Sequence, residues 1–209
     1  MKKQQSQPKI LGVLLANGPT GKPTHQDRCL RKLMGRPVLH HIIEQVHPQV
    51  SQLILNANGD PTRFSNIDIP IVPDAINDHP GLLSGILTGM EWAHEHMPDC
   101  EWIASFSTSS PLIPDDLVQQ LLGAIQENDA DMAYISCNGR KHPEYGLWPV
   151  DLAEDLRYAL EEEDIKQIDK WCGLYNPMVC PFTGNPIDPF GTANVIDAII
   201  HNETRLALH

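Results

Sequence analysis

The stretch that decides the fold runs from Ile10 to Pro37, ILGVLLANGPTGKPTHQDRCLRKLMGRP. It opens on a short apolar run, Ile10 to Leu15, the pattern of a strand buried on both faces. The run empties into residues rich in Gly, Pro and Thr before apolar side chains return at Leu30 and Leu33. A buried strand that leads into a glycine-containing loop is how α/β folds bring backbone N–H groups to a phosphate, at the carboxyl edge of the sheet. Spacing alone leaves a second reading open, an ordinary surface loop after the first strand.

The 209 residues suffice to bury a substantial core as one α/β domain. A net charge of −12 argues against a broad nucleic-acid surface, while a local nest of N–H groups can still hold a small anion. No apolar run reaches the ~18–20 residues that span a bilayer. The basic start, MKKQQSQPK, leads into a run shorter than the ~7–15 residues of a signal-peptide core. We therefore expect a cytoplasmic protein with no membrane contact, residues 1–9 forming a disordered tail and 10–209 one domain. The five cysteines, Cys29, Cys100, Cys137, Cys172 and Cys180, form no Cys-x-x-Cys and read as reduced, mostly buried thiols. The ten histidines scatter; metal ligands must converge on one point, so no zinc site is expected.

Along the chain, Val38 to Val46 has helical spacing after Pro37, and Pro48 stops it. Strands are expected at Gln52–Ala57, Ile69–Val72, Trp102–Phe106, Asp131–Ser136 and Tyr145–Trp148. Helices are expected after Pro80 to His96, from Asp115 to Gln126, over Leu152–Glu161 and Val195–Leu208, with a short one near Ile165–Trp171. Asn56-Ala57-Asn58-Gly59 reads either as a plain turn or as amides facing a base edge, since each amide offers donors and an acceptor. Gly81 and Gly85, four apart at a helix start, either let the backbone approach a base or ribose, or serve tight helix–sheet packing. Asp115 and Asp116 either start a helix, where carboxylates favour the dipole, or substitute as a metal site. Arg140 and Lys141, on a turn Gly139–Pro143, are either solvated charges or partners for an anion.

In this order the motifs resemble those of the molybdenum cofactor guanylyltransferases, the MobA-type nucleotidyltransferases. Leu15, Ala16 and Gly18 fit the family's Leu-Ala-Gly-Gly, with Asn17 at the first glycine. Asp27 and Arg28 stand at its Asp-Lys, Gly35-Arg36-Pro37 closes the motif, and Gly21-Lys22-Pro23-Thr24 replaces Arg-Met-Gly. Asn56-Ala57-Asn58 and Pro80-Gly81-Leu82-Leu83-Ser84-Gly85 match further on, as do the basic-His-Pro at Arg140–Pro143 and Phe190, Asn194 and Asp197 near the end. Ser109 stands where the family has its magnesium-binding aspartate, and Thr192 replaces an asparagine.

The resemblance implies a single three-layer α/β/α domain with a mostly parallel, Rossmann-like sheet, of the nucleotidyltransferase (GT-A-like) kind. It implies GMP transfer from GTP to molybdopterin, with magnesium, in molybdenum cofactor biosynthesis. It places Asp27 and Arg28 at the chemistry and Leu15, Ala16, Asn17, Gly18, Asn56, Asn58, Asp74, Gly81 and Gly85 on the nucleotide. It places Arg140, Lys141, His142, Thr192 and Asn194 on the molybdopterin side, and it implies molybdoenzyme-maturation proteins as partners. Arg28 turns a point ammonium into a planar fork, and a neutral Ser109 holds Mg²⁺ far more weakly than a carboxylate. A catalytically inactive nucleotide-, cofactor- or protein-binding member is therefore the alternative, and a cytidylyl or sugar-phosphate nucleotidyltransferase a further one.

Overall fold

The computed structural model of the chain describes residues 8–16, 28–76, 81–184 and 188–190. Strand β1 (Lys9–Leu15) is followed by a two-stranded ribbon, β2 (Lys32–Leu33) and β3 (Arg36–Pro37), and by α1 (Val38–Val46). Then come β4 (Gln52–Asn56), β5 (Ile71–Val72), α2 (Leu82–His96), β6 (Cys100–Ser107) and α3 (Leu117–Asn128). The chain continues through β7 (Met132–Cys137), β8 (Arg140–Pro149), α4 (Ala153–Glu161), α5 (Ile168–Cys172) and β9 (Pro177–Phe182).

The main sheet has seven strands in the order β5-β4-β1-β6-β8-β7-β9. Every pairing is parallel except those of β8, which runs antiparallel between β6 and β7. Leu11, Val13 and Leu14 are fully buried because helices cover both faces. α1 and α3 lie on one face and bury Val38, Leu39, Ile42, Leu117 and Leu121 with Leu14, Phe106 and Ile135. α2, α4 and α5 lie on the other and bury Ile86, Met90, Leu156 and Trp171 with Leu11, Ile103 and Trp148. This is the expected α/β/α arrangement with a mostly parallel sheet.

Several local expectations change. Lys9 belongs to β1 and its Nζ donates to Asp99 at 2.9 Å, so the strand begins within the expected tail; residues 1–7 lie outside the described ones. The expected turn over Gly139–Pro143 is displaced. Asn138 (φ 50°) and Gly139 (φ 83°) form the tight turn, and Arg140 to Pro143 already belong to β8. Both turn residues have positive φ, which matches the twist of a two-residue hairpin and favours Asn-Gly. β9 was not expected; it sits at the sheet edge, where Pro177 and Pro181 need not donate on both sides. The third expected strand shrinks to Ile71–Val72, and the helix expected over Val195–Leu208 lies outside the described residues.

Candidate functional site

β1 and β6 lie side by side with Leu15 opposite Ser107. From β1 the sheet extends to β4 and β5 on one side and to β6 on the other. The carboxyl ends of β1 and β6 therefore bound the crevice where open α/β sheets bind ligands. The strand ends are tied together there: Ala16 N–H donates to Asn56 O at 3.0 Å, and the Thr108 hydroxyl donates to Leu15 O at 3.1 Å.

On the β4–β5 side, Asp74 is buried between two amides. Asn56 Nδ2 donates to Asp74 Oδ1 at 2.9 Å, and Asn58 Nδ2 donates to Oδ2 at 2.7 Å. The Asp74 N–H returns a bond to Asn58 Oδ1 at 2.8 Å, closing a reciprocal pair. Asn56 also donates to Val72 O at 3.2 Å. The two amides thus fix the position and orientation of the carboxylate. The segment after Asp74 is pinned to α2, with Ala75 N–H on the Thr88 hydroxyl at 2.9 Å.

The two glycines of the α2 start do different work. A methyl at Gly85 would lie 2.6 Å from Leu15 Cδ2 and 2.8 Å from Asn56 Oδ1, so the bare backbone lets α2 press onto the ends of β1 and β4. Gly81 precedes the helix at φ 154° and ψ −171°, and a methyl there would meet nothing within 4 Å among the described residues. Gly85 therefore serves close packing beside the Asn56–Asp74 pair, a constraint that the described residues do not place on Gly81.

The end of β6 is lined by hydroxyls. Ser107 Oγ lies 2.5 Å from Ser109 Oγ and accepts the Ser109 N–H at 3.2 Å. Ser110 donates to Pro189 O at 2.5 Å. Tyr145 on β8 is fully buried against Phe190, and its hydroxyl lies near Ser107 without a well-formed hydrogen bond. Burial pushes its phenol pKa well up, so it stays protonated.

β8 begins at the same edge because it runs antiparallel. Its register jumps from Tyr134 opposite Gly146 to Ile135 opposite His142, a bulge that lets His142 and Tyr145 both face Phe190. His142 is buried, with Nδ1 3.1 Å from Glu144 Oε1 and Nε2 2.9 Å from Asp188 Oδ2. Burial would raise the Asp188 pKa, but the Phe190 N–H, the Cys137 thiol and His142 outweigh it and hold the carboxyl below its usual range. Lys141 turns to the other face, donates to Asp169 at 2.7 Å and lies over the Tyr134 ring. Arg140 is exposed at the start of the strand. The strand therefore separates Arg140 and Lys141, and His142 meets carboxylates of the protein itself.

Divalent magnesium requires several hard, preferably anionic oxygens. At the end of β6 the described residues supply neutral hydroxyls, and Asp74 is engaged by Asn56 and Asn58. Among the described residues no group of three or more His, Cys, Asp or Glu could hold a metal ion. These donors do not fit the cation. Asp115 and Asp116 do not replace them. They line a groove of about 470 Å³ with Pro8, Ile10 and Ser51, at the amino ends of β1 and β4 and away from the crevice.

Of the residues singled out in the sequence, Leu15, Ala16, Asn56, Asn58, Asp74, Gly85 and Ser109 are gathered along one edge of the sheet. Arg28 opens a short 3-10 turn, Arg28–Leu30, and is exposed. Asn17, Gly18, Asp27, Thr192 and Asn194 lie outside the described residues. Sequence reading missed Ser107, Tyr145 and Asp188. The run Ser107-Thr108-Ser109-Ser110 was a visible signal, but which hydroxyl faces which is set by the strand end.

Residues 12–174 match the MobA-like NTP transferase domain. A molybdenum cofactor guanylyltransferase of Rhodopseudomonas palustris (strain BisB5) is 38% identical over 201 residues, covering 96% of this chain and 95% of that protein. The crystal structure of a molybdopterin-guanine dinucleotide biosynthesis protein A from Archaeoglobus fulgidus superposes with a TM-score of 0.67 at 13% identity, over 95% of this chain and 100% of that one. A Mycobacterium tuberculosis protein solved in complex with manganese superposes with a TM-score of 0.65 at 12% identity, over 93% of this chain and 98% of that one. The structural likenesses speak for the fold, and the sequence matches for descent. The chain belongs to the MobA-like NTP transferase family.

Proposed function

We propose that this chain binds GTP along the carboxyl edge of its sheet and acts on molybdopterin, as a guanylyltransferase-type protein of molybdenum cofactor biosynthesis in the cytoplasm. The carrying observation is the Asn56–Asp74–Asn58 brace at the ends of β4 and β5. A fixed carboxylate suits guanine because the base offers N1–H and N2–H side by side, whereas adenine presents an acceptor at N1. Asn56 and Asn58 orient Asp74, and Leu15, Ala16, Asn17, Gly18, Gly81 and Gly85 are assigned to the nucleotide with them.

In the reaction, a phosphate oxygen of molybdopterin forms a bond to the α-phosphorus of GTP as the bond to the β-phosphate oxygen breaks, and pyrophosphate leaves. Asp27 and Arg28 are assigned to this centre, Arg28 neutralising charge on the leaving group. Arg140, with Thr192 and Asn194, takes the molybdopterin side; Lys141 and His142 support it from within β8. Molybdoenzyme-maturation proteins are the assigned partners.

The bonded Ser107–Ser109 pair favours a second reading, a nucleotide- and cofactor-binding member with little or no turnover. Removing one preorganised electrostatic group typically lowers rates by about 10²–10³. Release of pyrophosphate from GTP in the presence of molybdopterin separates the two. Transfer supports the enzyme, and molybdopterin-dependent binding without pyrophosphate supports the binding module. Absence of both overturns the reading.

A further inference from the structure

Between the two hydroxyls at the end of β6 either oxygen can be the donor, so their neighbours set the direction. Ser107 Oγ accepts the Ser109 N–H at 3.2 Å, and it shares a hydrogen with Ser109 Oγ across 2.5 Å. Behind Ser107 stands the Tyr145 hydroxyl, fully buried, protonated and without a well-formed partner of its own. A phenol is a better donor than an alcohol. If Tyr145 donates to Ser107, Ser107 gives its own hydrogen to Ser109 Oγ. In that arrangement the Ser109 hydrogen is left for a ligand. Ser109 is half-buried at the mouth of the crevice, next to the strand end that carries Leu15. An outward hydroxyl hydrogen attracts an anion and disfavours a cation.

We propose that Ser109, oriented by Ser107 and Tyr145, forms a neutral donor subsite that takes a phosphate group of the nucleotide directly, with no divalent cation between them. This rests on the guanine-nucleotide reading above. A carboxylate at position 109 would repel the phosphate and need a cation to bridge the two anions; a serine removes that repulsion together with the ligand. Ser109 is thus the contact that makes phosphate binding independent of metal. Ser107 and Tyr145 are positioning residues.

The test is calorimetric titration of the full chain with GTP and with guanosine, in EDTA and in excess Mg²⁺. Wild-type GTP affinity should change by less than about threefold between the two conditions. Ser109→Ala should weaken GTP by about tenfold and leave guanosine unchanged, because a hydrogen bond to a charged group is lost. Tyr145→Phe, checked for native circular dichroism, should weaken GTP in the same selective way. Ser109→Asp should bind GTP only when Mg²⁺ is present. A strict Mg²⁺ requirement in the wild type overturns the proposal, as does a Ser109→Ala variant with undiminished GTP affinity. The wild-type comparison needs no variant to fold. Loss of both GTP and guanosine binding in the wild type would overturn the guanine-site reading itself, a result distinct from guanosine binding with metal-dependent GTP.

Discussion

His142 Nε2 and Asp188 Oδ2 lie 2.9 Å apart and join β8 to the segment Asp188–Phe190, with the histidine side chain only 1% exposed. The same segment is held by Ser110 on the Pro189 carbonyl and by Phe190 packed against Tyr145 and Phe182. One histidine therefore fastens the late part of the chain to the edge that carries the candidate site. Removing it leaves two carboxylates, Glu144 and Asp188, without their shared partner. His142→Ala should cost about 2–4 kcal/mol of stability, below the upper range for buried pairs because both carboxylates retain some exposure. Urea denaturation measures it, and a loss under about 0.5 kcal/mol would contradict the role.

The pH dependence follows from Asp188. Burial alone would raise its pKa, but the Phe190 N–H, the Cys137 thiol and His142 together lower it. A folded value below the unfolded one means that its stabilisation is complete above the unfolded pKa of about 3.9. That contribution is lost as pH falls through the lower folded value. The Tm of wild type should exceed that of Asp188→Asn near pH 7, and the gap should close only in strong acid, below about pH 4. A gap that widened on acidification would show the opposite shift.

Much of this arrangement was legible in the sequence. α1 begins and ends where its apolar spacing says, because Val38, Leu39, Ile42 and Val46 mark one face after Pro37. β1 stood out as a run buried on both faces. β9 did not: Pro177 and Pro181 cannot donate to a ladder, and only its place at the sheet edge makes them tolerable. Gly139–Pro143 looked like the turn because a charged pair and a proline drew it past Asn138–Gly139, where the structure has it. Motif order brought Asn56, Asn58 and Gly85 into view. That the amides hold Asp74, and that Gly85 yields to Leu15 and Asn56, depends on strands distant in sequence meeting at one edge.

The glycines give a contrast within one fold. Gly85→Ala would drive a methyl into Leu15 and Asn56 and should cost about 1–3 kcal/mol, disturbing the Asn56–Asp74 bond as well. Gly123, inside α3, has nothing among the described residues within 4 Å of such a methyl. Gly123→Ala should gain about 0.5–1 kcal/mol through helix propensity and unfolded-state entropy. Thermal unfolding of the two variants checks both signs, and stabilisation by Gly85→Ala would refute the close approach.

Ser105 tests the link between β6 and β8. Its Oγ accepts the Trp148 Nε1–H at 2.9 Å and the Gly146 N–H at 3.2 Å, all three residues being buried or nearly so. Ser105→Ala strands two buried donors and should cost about 1–3 kcal/mol, with a change in tryptophan fluorescence. An unaltered spectrum and stability would mean that another acceptor replaces it.

The most direct measurement is the relative affinity of the wild-type chain for GTP, ITP and ATP, repeated with Asp74→Asn. A carboxylate held by Asn56 and Asn58 should take both N1–H and N2–H of guanine, so GTP binds best. ITP, lacking the 2-amino group, should bind about tenfold more weakly and ATP more weakly still. Asp74→Asn should flatten that order while the protein stays folded. Equal wild-type affinity for GTP and ATP, or an undiminished guanine preference in Asp74→Asn, would contradict the site described here.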